Sequence, residues 1–475
     1  MEKTDYKILV IIFIISLIFY GLTLAPTVLW GDDAQYQRLA NSWSVKMIPR
    51  GHILYSYLVK IVNIIPYFKL AAKVNFFSAL WASLTLVLLF LIIFFITHDK
   101  FSSLLGIVIF GLSHTFWLHA VRAEVHTLQL FLIASSLYLL LKWYKSNGKG
   151  LLFFSFLIIG ISLCNHILSV GLIPAMLFLV LKKSPNLKLS IITATLGLMP
   201  GILILLFIRT DSISVFKILG DIFFEHNFPI LKNLLLFILF LIYQFIISIY
   251  FGIQGIKSLY EQNKLIFYFL SFTFLGNLLE VIILPIHDQY VMFLPAFFVF
   301  AIFVGMGISW LFKKYRMNIF KKISFTVLIS LILIITYWGT PIFLKHFKIN
   351  IINIRSLPNR DNFTFFLFPP KNSYYGAYDF AQITLGNLPM RSVILADFTI
   401  AQPLLYLQEV ENFRRDIEIR DIEPKGGKQT QYLLEKNKTH SVFIADNNKY
   451  YSIEEFKEYF EIIPFGDIYQ LNKIF

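Results

Sequence analysis

Eleven runs of apolar residues, most of them close to the length that crosses a bilayer, constrain this chain more than any other feature. They occupy 8–29, 74–97, 101–118, 124–142, 151–164, 166–181, 189–208, 230–252, 265–286, 289–312 and 323–344. A helix needs about 20 apolar residues to cross the hydrocarbon core, because it rises 1.5 Å per residue and every backbone polar group must be satisfied within the helix. The short pair 151–164 and 166–181 is separated only by Asn165 and His166, so it reads either as two spans or as one long helix with a polar interruption. Charge placement chooses between them. Lys3, Lys7, Lys100, Lys142, Lys145, Lys149, Lys182, Lys183, Lys188, Lys257, Lys264, Lys313, Lys314, Arg316, Lys321 and Lys322 fall into alternate loops only if the pair counts as two. That alternation is the positive-inside bias. It predicts eleven spans, with the N-terminus cytoplasmic and the C-terminus on the other side.

The net charge of +14 does not point to nucleic acid, because the lysines sit between apolar runs rather than on one soluble face. Only 15% of residues are charged, where a soluble domain carries about a quarter. The lone cysteine, Cys164, excludes a disulfide framework within the chain. Lys3 and Lys7 before the run 8–24 resemble a signal peptide, but many similar runs follow, so it reads as a retained span.

The first outer loop, 30–73, is half apolar, and its stretch Ile53–Ile65 reads as an interfacial or re-entrant helix. From about 345 the texture turns polar. Ser392–Asp397, Ala401–Glu411, Asp416–Asp421 and Ser441–Ala445 read as strand, helix, strand and buried strand. The expected architecture is an all-α polytopic membrane bundle over 1–344, followed by a small soluble α/β domain over 345–475.

On this topology the loops opposite the lysines carry the chemistry. They hold Trp30-Gly31-Asp32-Asp33, Pro49-Arg50-Gly51-His52, His119-Ala120-Val121-Arg122-Ala123-Glu124-Val125-His126, Asn165-His166 and His287-Asp288-Gln289-Tyr290. Ionisable groups beside hydrocarbon are costly and tend to be functional. A carboxylate there can serve as a general base, although Asp32 or Asp33 can also cap a helix and Glu124 can favour a helix N-terminus. Arg50, His52 and Arg122 can cradle a phosphate or simply reach lipid headgroups. Asn165-His166 reads as site-lining or as a satisfied polar hinge. The histidines lack HExxH-type spacing, and no metal site is expected.

Several segments resemble the protein O-mannosyltransferase-like family of multi-pass membrane proteins. They are Leu24-Ala25-Pro26-Thr27-Val28-Leu29-Trp30-Gly31-Asp32, Ser113-His114-Thr115-Phe116-Trp117 with Ala120-Val121-Arg122-Ala123-Glu124-Val125, and Gly160 through Asn165-His166. Asp288-Gln289-Tyr290-Val291-Met292-Phe293-Leu294-Pro295 and Tyr406-Leu407-Gln408-Glu409-Val410-Glu411 with Arg415-Asp416 complete the set. Two positions depart from the pattern: Pro49-Arg50-Gly51-His52 stands where the family has His-Pro-Pro-Gly-Tyr, and Gln35 replaces a common acidic residue.

The resemblance implies a GT-C-type glycosyltransferase with a polyprenyl-phosphate hexose as donor, mannose first, and no further cofactor. The acceptor would be a Ser or Thr hydroxyl of an exported protein, or a glycan or lipid. A prokaryotic plasma membrane is the expected setting ahead of the endoplasmic reticulum. It implies Asp32 as the catalytic carboxylate and Glu124 as a second acidic site residue. Asn165, His166 and Asp288 would line the site, and Asp33, Arg50, His52, Arg122 and Tyr290 fall to donor-phosphate or substrate binding. Two other functions fit a polytopic chain with an outer domain: a transporter or lipid flippase, and a scaffold with a binding ectodomain.

Overall fold

The computed structural model describes residues 6–42, 52–207, 229–284, 289–349, 354–422, 428–448, 451 and 453–474. The helices in chain order are α1 (Tyr6–Leu22), α2 (Asp32–Leu39), α3 (Ile53–Ile61), α4 (Leu70–Thr97), α5 (Lys100–Gly111), α6 (His114–Ala120), α7 (His126–Ser146) and α8 (Lys149–Leu163). They continue with α9 (Ile173–Lys183), α10 (Leu187–Phe207), α11 (Ile230–Phe245), α12 (Ser248–Gln262), α13 (Lys264–Ile282), α14 (Gln289–Met292), α15 (Leu294–Lys314) and α16 (Ile319–His346).

Among the described residues six helices are long and apolar enough to cross a membrane: α4, α7, α10, α13, α15 and α16. The number rises to eight if two bent pairs, α5 with α6 and α11 with α12, each count as one span. Apolar side chains such as Leu196, Leu206, Leu235 and Leu279 stand exposed on these helices, as lipid-facing residues do. The chain is an integral membrane protein.

Each apolar run contains a helix, but not every run is one straight span. The run 230–252 breaks at Ile246, whose φ of 46° ends α11, and α12 leaves at 102°. The run 101–118 bends by 71° where the Ser113 hydroxyl turns back to donate to the Phe110 carbonyl at 2.7 Å. Hydropathy is blind to such breaks, because both arms stay apolar. At Asn165 and His166 the chain breaks into a short 3₁₀ turn, Ile167–Leu172, before α9.

Close packing relies on small residues where backbones nearly touch. A Cβ added at Gly201 would lie 1.9 Å from the Gly160 carbonyl oxygen, so α8 and α10 can pack only as glycine against glycine. Lysine-bearing turns share one end of the bundle: Lys145 lies over Phe95, Lys183 over Tyr144 and Lys322 over Phe101, at 5.1 to 5.9 Å. The α7 helix runs from His126 to this end, and 21 residues carry it about 30 Å.

After α16 come α17 (Asn362–Leu367), α18 (Gly376–Asn387), β1 (Val393–Ala396), α19 (Phe398–Glu409), β2 (Glu418–Asp421), α20 (Lys428–Lys436), β3 (Val442–Ile444), α21 (Ile453–Lys457), β4 (Phe460–Phe465) and β5 (Ile468–Lys473). The sheet order is β2-β1-β3-β5-β4, parallel through β2-β1-β3 and antiparallel from there on. The first three strands and α19 match the sequence reading, while the β4–β5 hairpin, turning at Gly466 (φ 62°), was not foreseen.

This region is built onto the first loop. Ala25, Val28, Leu29, Trp30 and Ala34 share a core with Phe380, Ile394, Ile400 and Leu404. Arg38 grips Glu409 through two bonds (Nε–Oε2 3.0 Å, Nη2–Oε1 2.6 Å) and donates to Gln402. Trp30 Nε1 donates to the Tyr374 hydroxyl, and Ala71 N to that of Tyr406. These contacts fix where α2, and so Asp32 and Asp33, can sit.

Candidate active site

Chain entry into α2 requires an unusual backbone turn. Gly31 adopts φ 58°, ψ −126°, a conformation that side-chain-bearing residues avoid, and its amide donates to the Thr399 carbonyl. The turn sets two adjacent carboxylates in different surroundings. Asp32 is exposed at the first position of α2, whereas Asp33 is fully buried.

Asp33 accepts two bonds from Arg122, from Nε at 2.9 Å and from Nη2 at 2.5 Å. Arg122 Nη2 also reaches Glu124 Oε1 at 3.3 Å, and Glu124 Oε2 lies 3.8 Å from His126 Nε2. Burial raises the Asp33 pKa, and Arg122 opposes that rise. Burial alone would lower Arg122, but Asp33 and Glu124 outweigh it and hold the guanidinium charged. A buried bidentate guanidinium–carboxylate pair remains ionic when both partners gain from it.

A polar frame holds this cluster. Asn75 donates to the carbonyls of Ala25 and Thr27 and accepts from Gln37, tying α4 to the first loop. Ser78 bonds the backbone of Glu124 in both directions. Asn165 donates to the Val125 carbonyl at 3.1 Å and to Gln129 at 2.9 Å, which pins the 165–166 break against the start of α7. His52 Nδ1 donates to the Asn165 carbonyl at 2.8 Å.

Four imidazoles form a row beside the carboxylates. Ring centres lie 5.2 Å apart for His52 and His166, 5.7 Å for His166 and His126, and 5.3 Å for His126 and His119. Tyr290 packs on His119 at 5.9 Å. A narrow cavity of about 20 Å³, room for about one water, opens between His126, Gln129, His166, Met292 and Pro295. Burial pushes the His52 imidazole below its ordinary pKa, so it is neutral near pH 7.

The structure therefore gathers Asp33, His52, Arg122, Glu124, Asn165, His166 and Tyr290, with Asp32 on the adjoining exposed turn. Arg50 and Asp288 lie outside the described residues. The sequence reading assigned no metal ligands, yet His119, Glu124 and His126 bring one donor atom each within 4.8 Å of one another. Spacing could not reveal this, because the chain turns between α6 and α7 and folds His119 back toward His126.

Residues from the C-terminal region were also missed. Phe365 lies 5.8 Å from the Arg122 guanidinium and also faces Arg360 and Lys371. Lys371 is buried, donates to the Phe368, Pro369 and Pro370 carbonyls, and its backbone amide bonds the Thr23 carbonyl. Burial, then Arg122, lowers its pKa well below the usual lysine value. The Pro369-Pro370-Lys371 sequence was the available signal. A wider cleft of about 360 Å³ lies at the opposite end, lined by Ser309, Lys313 and Lys314, and shares none of its lining with the cluster.

Comparison with known proteins bears on the family and the fold. Residues 36–189 match the family described as the N-terminal domain of the protein O-mannosyl-transferase TMEM260. The protein O-mannosyl-transferase tmem260 of Dictyostelium discoideum is 26% identical over 147 residues, 30% of this chain and 18% of that protein's length. ArnT from Cupriavidus metallidurans, bound to undecaprenyl phosphate, superposes with TM-score 0.59 at 9% identity, covering 98% of each chain. The Archaeoglobus fulgidus oligosaccharyltransferase, in complex with zinc and sulfate, gives TM-score 0.57 at 13% identity over 91% of this chain and 68% of that one. At such identities the structural matches speak for the fold. The resemblance carried by the motifs thus holds: this chain is similar to the TMEM260-type protein O-mannosyl-transferases through residues 36–189, in a GT-C fold that extends over nearly its whole length.

Proposed function

We propose that the chain is a membrane glycosyltransferase that moves a hexose, mannose first, from a polyprenyl phosphate to a Ser or Thr hydroxyl of a protein. The observation that carries this reading is the buried Asp33–Arg122–Glu124 cluster beside the exposed Asp32. A transferase using a phosphate leaving group needs a base open to the acceptor and a fixed cation for the charge that develops. The named relatives support protein as acceptor, and the polyprenyl phosphate in ArnT supports a lipid-borne donor.

Asp32 takes the proton of the acceptor hydroxyl as its oxygen attacks the anomeric carbon. The bond from that carbon to the phosphate oxygen breaks, polyprenyl phosphate leaves, and configuration inverts. Asp33 has both oxygens committed to Arg122, so its task is positioning. Arg122, held between Asp33 and Glu124, stabilises the charge on the departing phosphate. The row of imidazoles supplies hydrogen-bond partners for sugar hydroxyls.

The expected face is the one opposite the lysine-bearing turns. The test is transfer of mannose from synthetic polyprenyl-phosphate mannose to peptides in membranes containing the wild type or Asp32→Asn. Loss of product in the variant at normal expression supports the assignment. Full activity in Asp32→Asn refutes Asp32 as the base, and substrate flux without any glycosidic product would favour a flippase.

A further inference from the structure

We propose that His119, Glu124 and His126 form a binding site for one divalent transition-metal ion, with zinc the ion best suited to the donor set. This inference stands on side-chain geometry and does not require the transfer reaction proposed above.

The donor atoms lie within 4.8 Å of one another, and His126 Nε2 is already 3.8 Å from Glu124 Oε2. Zinc bonds of about 2.1 Å set neighbouring tetrahedral donors about 3.4 Å apart. The remaining gap is at most about 1.4 Å. The His119 and His126 rings meet at 82°, so they approach edge to face and not as a stacked pair.

His119 provides the second, independent observation. Its side chain is 2% exposed, and neither ring nitrogen has a hydrogen-bond partner. A buried polar atom left unpaired loses its hydration without compensation, so folds rarely leave an imidazole wholly unpaired without a use for it. A metal ion would occupy one nitrogen's lone pair. Glu124 is braced for the same task, because Arg122 holds its Oε1 at 3.3 Å while Oε2 faces the histidines. Such outer partners orient ligands and tune their basicity.

The local charge also fits. Asp33 and Glu124 contribute −2 and Arg122 +1, so the cluster is −1 before an ion enters and +1 afterwards. Two imidazoles and one carboxylate leave a coordination position open, the pattern of zinc sites that take an exchangeable ligand. An anionic oxygen ligand would restore neutrality there.

The experiment uses tag-free full-length protein in nanodiscs, dialysed against micromolar zinc and then metal-free buffer, with metal counted by inductively coupled plasma mass spectrometry. Expected are about one zinc per chain in the wild type and in His346→Gln, and at least tenfold weaker retention in His119→Gln and Glu124→Gln. Cobalt loading should give visible d–d bands in the wild type that His126→Asn removes. Zinc should raise the wild-type melting temperature, and a chelator should reverse the rise, which tests the site without any variant. Absence of stoichiometric zinc and of a thermal shift in the wild type overturns the proposal. So does equal zinc retention in folded His119→Gln and Glu124→Gln. None of these readouts uses sugar transfer, so failure of the site and failure of the reaction are told apart.

Discussion

Asp32 and Asp33 are neighbours in sequence with opposite environments, and exchanging each for asparagine separates structure from chemistry. Asp33→Asn keeps the side-chain shape but removes the charge that Arg122 engages through Nε and Nη2. Hydrogen bonds to charged groups are worth about 1.5–3 kcal/mol each, and breaking a buried pair by losing one partner costs about 3–5 kcal/mol. Glu124 remains 3.3 Å from Arg122 and the asparagine oxygen can accept one bond, so the lower end applies, about 3 kcal/mol. An unfolding entropy of about 2.1 cal/mol/K per residue gives roughly 1 kcal/mol/K for 475 residues, hence a fall in Tm of only about 3 °C.

Local opening reports the loss better. At about 1.4 kcal/mol per decade, 3 kcal/mol speeds amide exchange in α2 and in 121–125 on the order of a hundredfold. Hydrogen–deuterium exchange read by mass spectrometry measures it. Asp32→Asn, on an exposed position, should leave exchange within about threefold of wild type while abolishing transfer. Arg122→Met should cost more than Asp33→Asn, because it removes the cation that both Asp33 and Glu124 face. The double variant Asp33→Leu, Arg122→Met should cost less than the sum of its parts, with a coupling of about 2 kcal/mol or more. Unchanged exchange in Asp33→Asn, or strict additivity in the cycle, would refute the ion pair as the element that fixes α2.

Three further outcomes follow from the geometry. Gly201→Val puts side-chain atoms into the Gly160 backbone, forces α8 and α10 apart and should destabilise by about 2 kcal/mol or more, seen as lower melting and lower yield in membranes. Arg38→Lys keeps the charge but loses the two-pronged grip on Glu409, and with that carboxylate 40% exposed the cost should be about 1–2 kcal/mol, read as faster protease release of the C-terminal region; equal release rates would show the contact to be inert. His52 has a folded pKa below its unfolded value, so it favours folding above about pH 6.5 and that contribution declines as pH falls through this value; at pH 5 the loss reaches at most about 2 kcal/mol, and His52→Gln should flatten the melting-temperature profile between pH 7 and 5.

The apolar runs determined the class of protein by themselves, because water-excluded segments of that length have few stable alternatives to helices. The residues that the loops bring together were legible for a similar reason. Charge alternation sorted Asp33, Arg122, Glu124 and His166 to one end, and the structure joins the first three in one cluster with the His166 ring packed beside it against His126. Patterning could not say which of two adjacent aspartates is buried. That depends on the Gly31 turn and on Thr399, which lies 368 positions later in the chain and accepts its amide bond.

Nor could patterning find the bends at Ile246 and Ser113, where hydropathy does not change, or the meeting of His119 with Glu124 and His126 across a turn. Lys371, Phe365 and Glu409 belong to the polar C-terminal region and meet Thr23, Arg122 and Arg38 respectively only through tertiary contact. Sequence periodicity encodes which surface each segment must hide. Which particular side chains then face one another depends on distances between segments far apart in the chain, and only the folded structure supplies those.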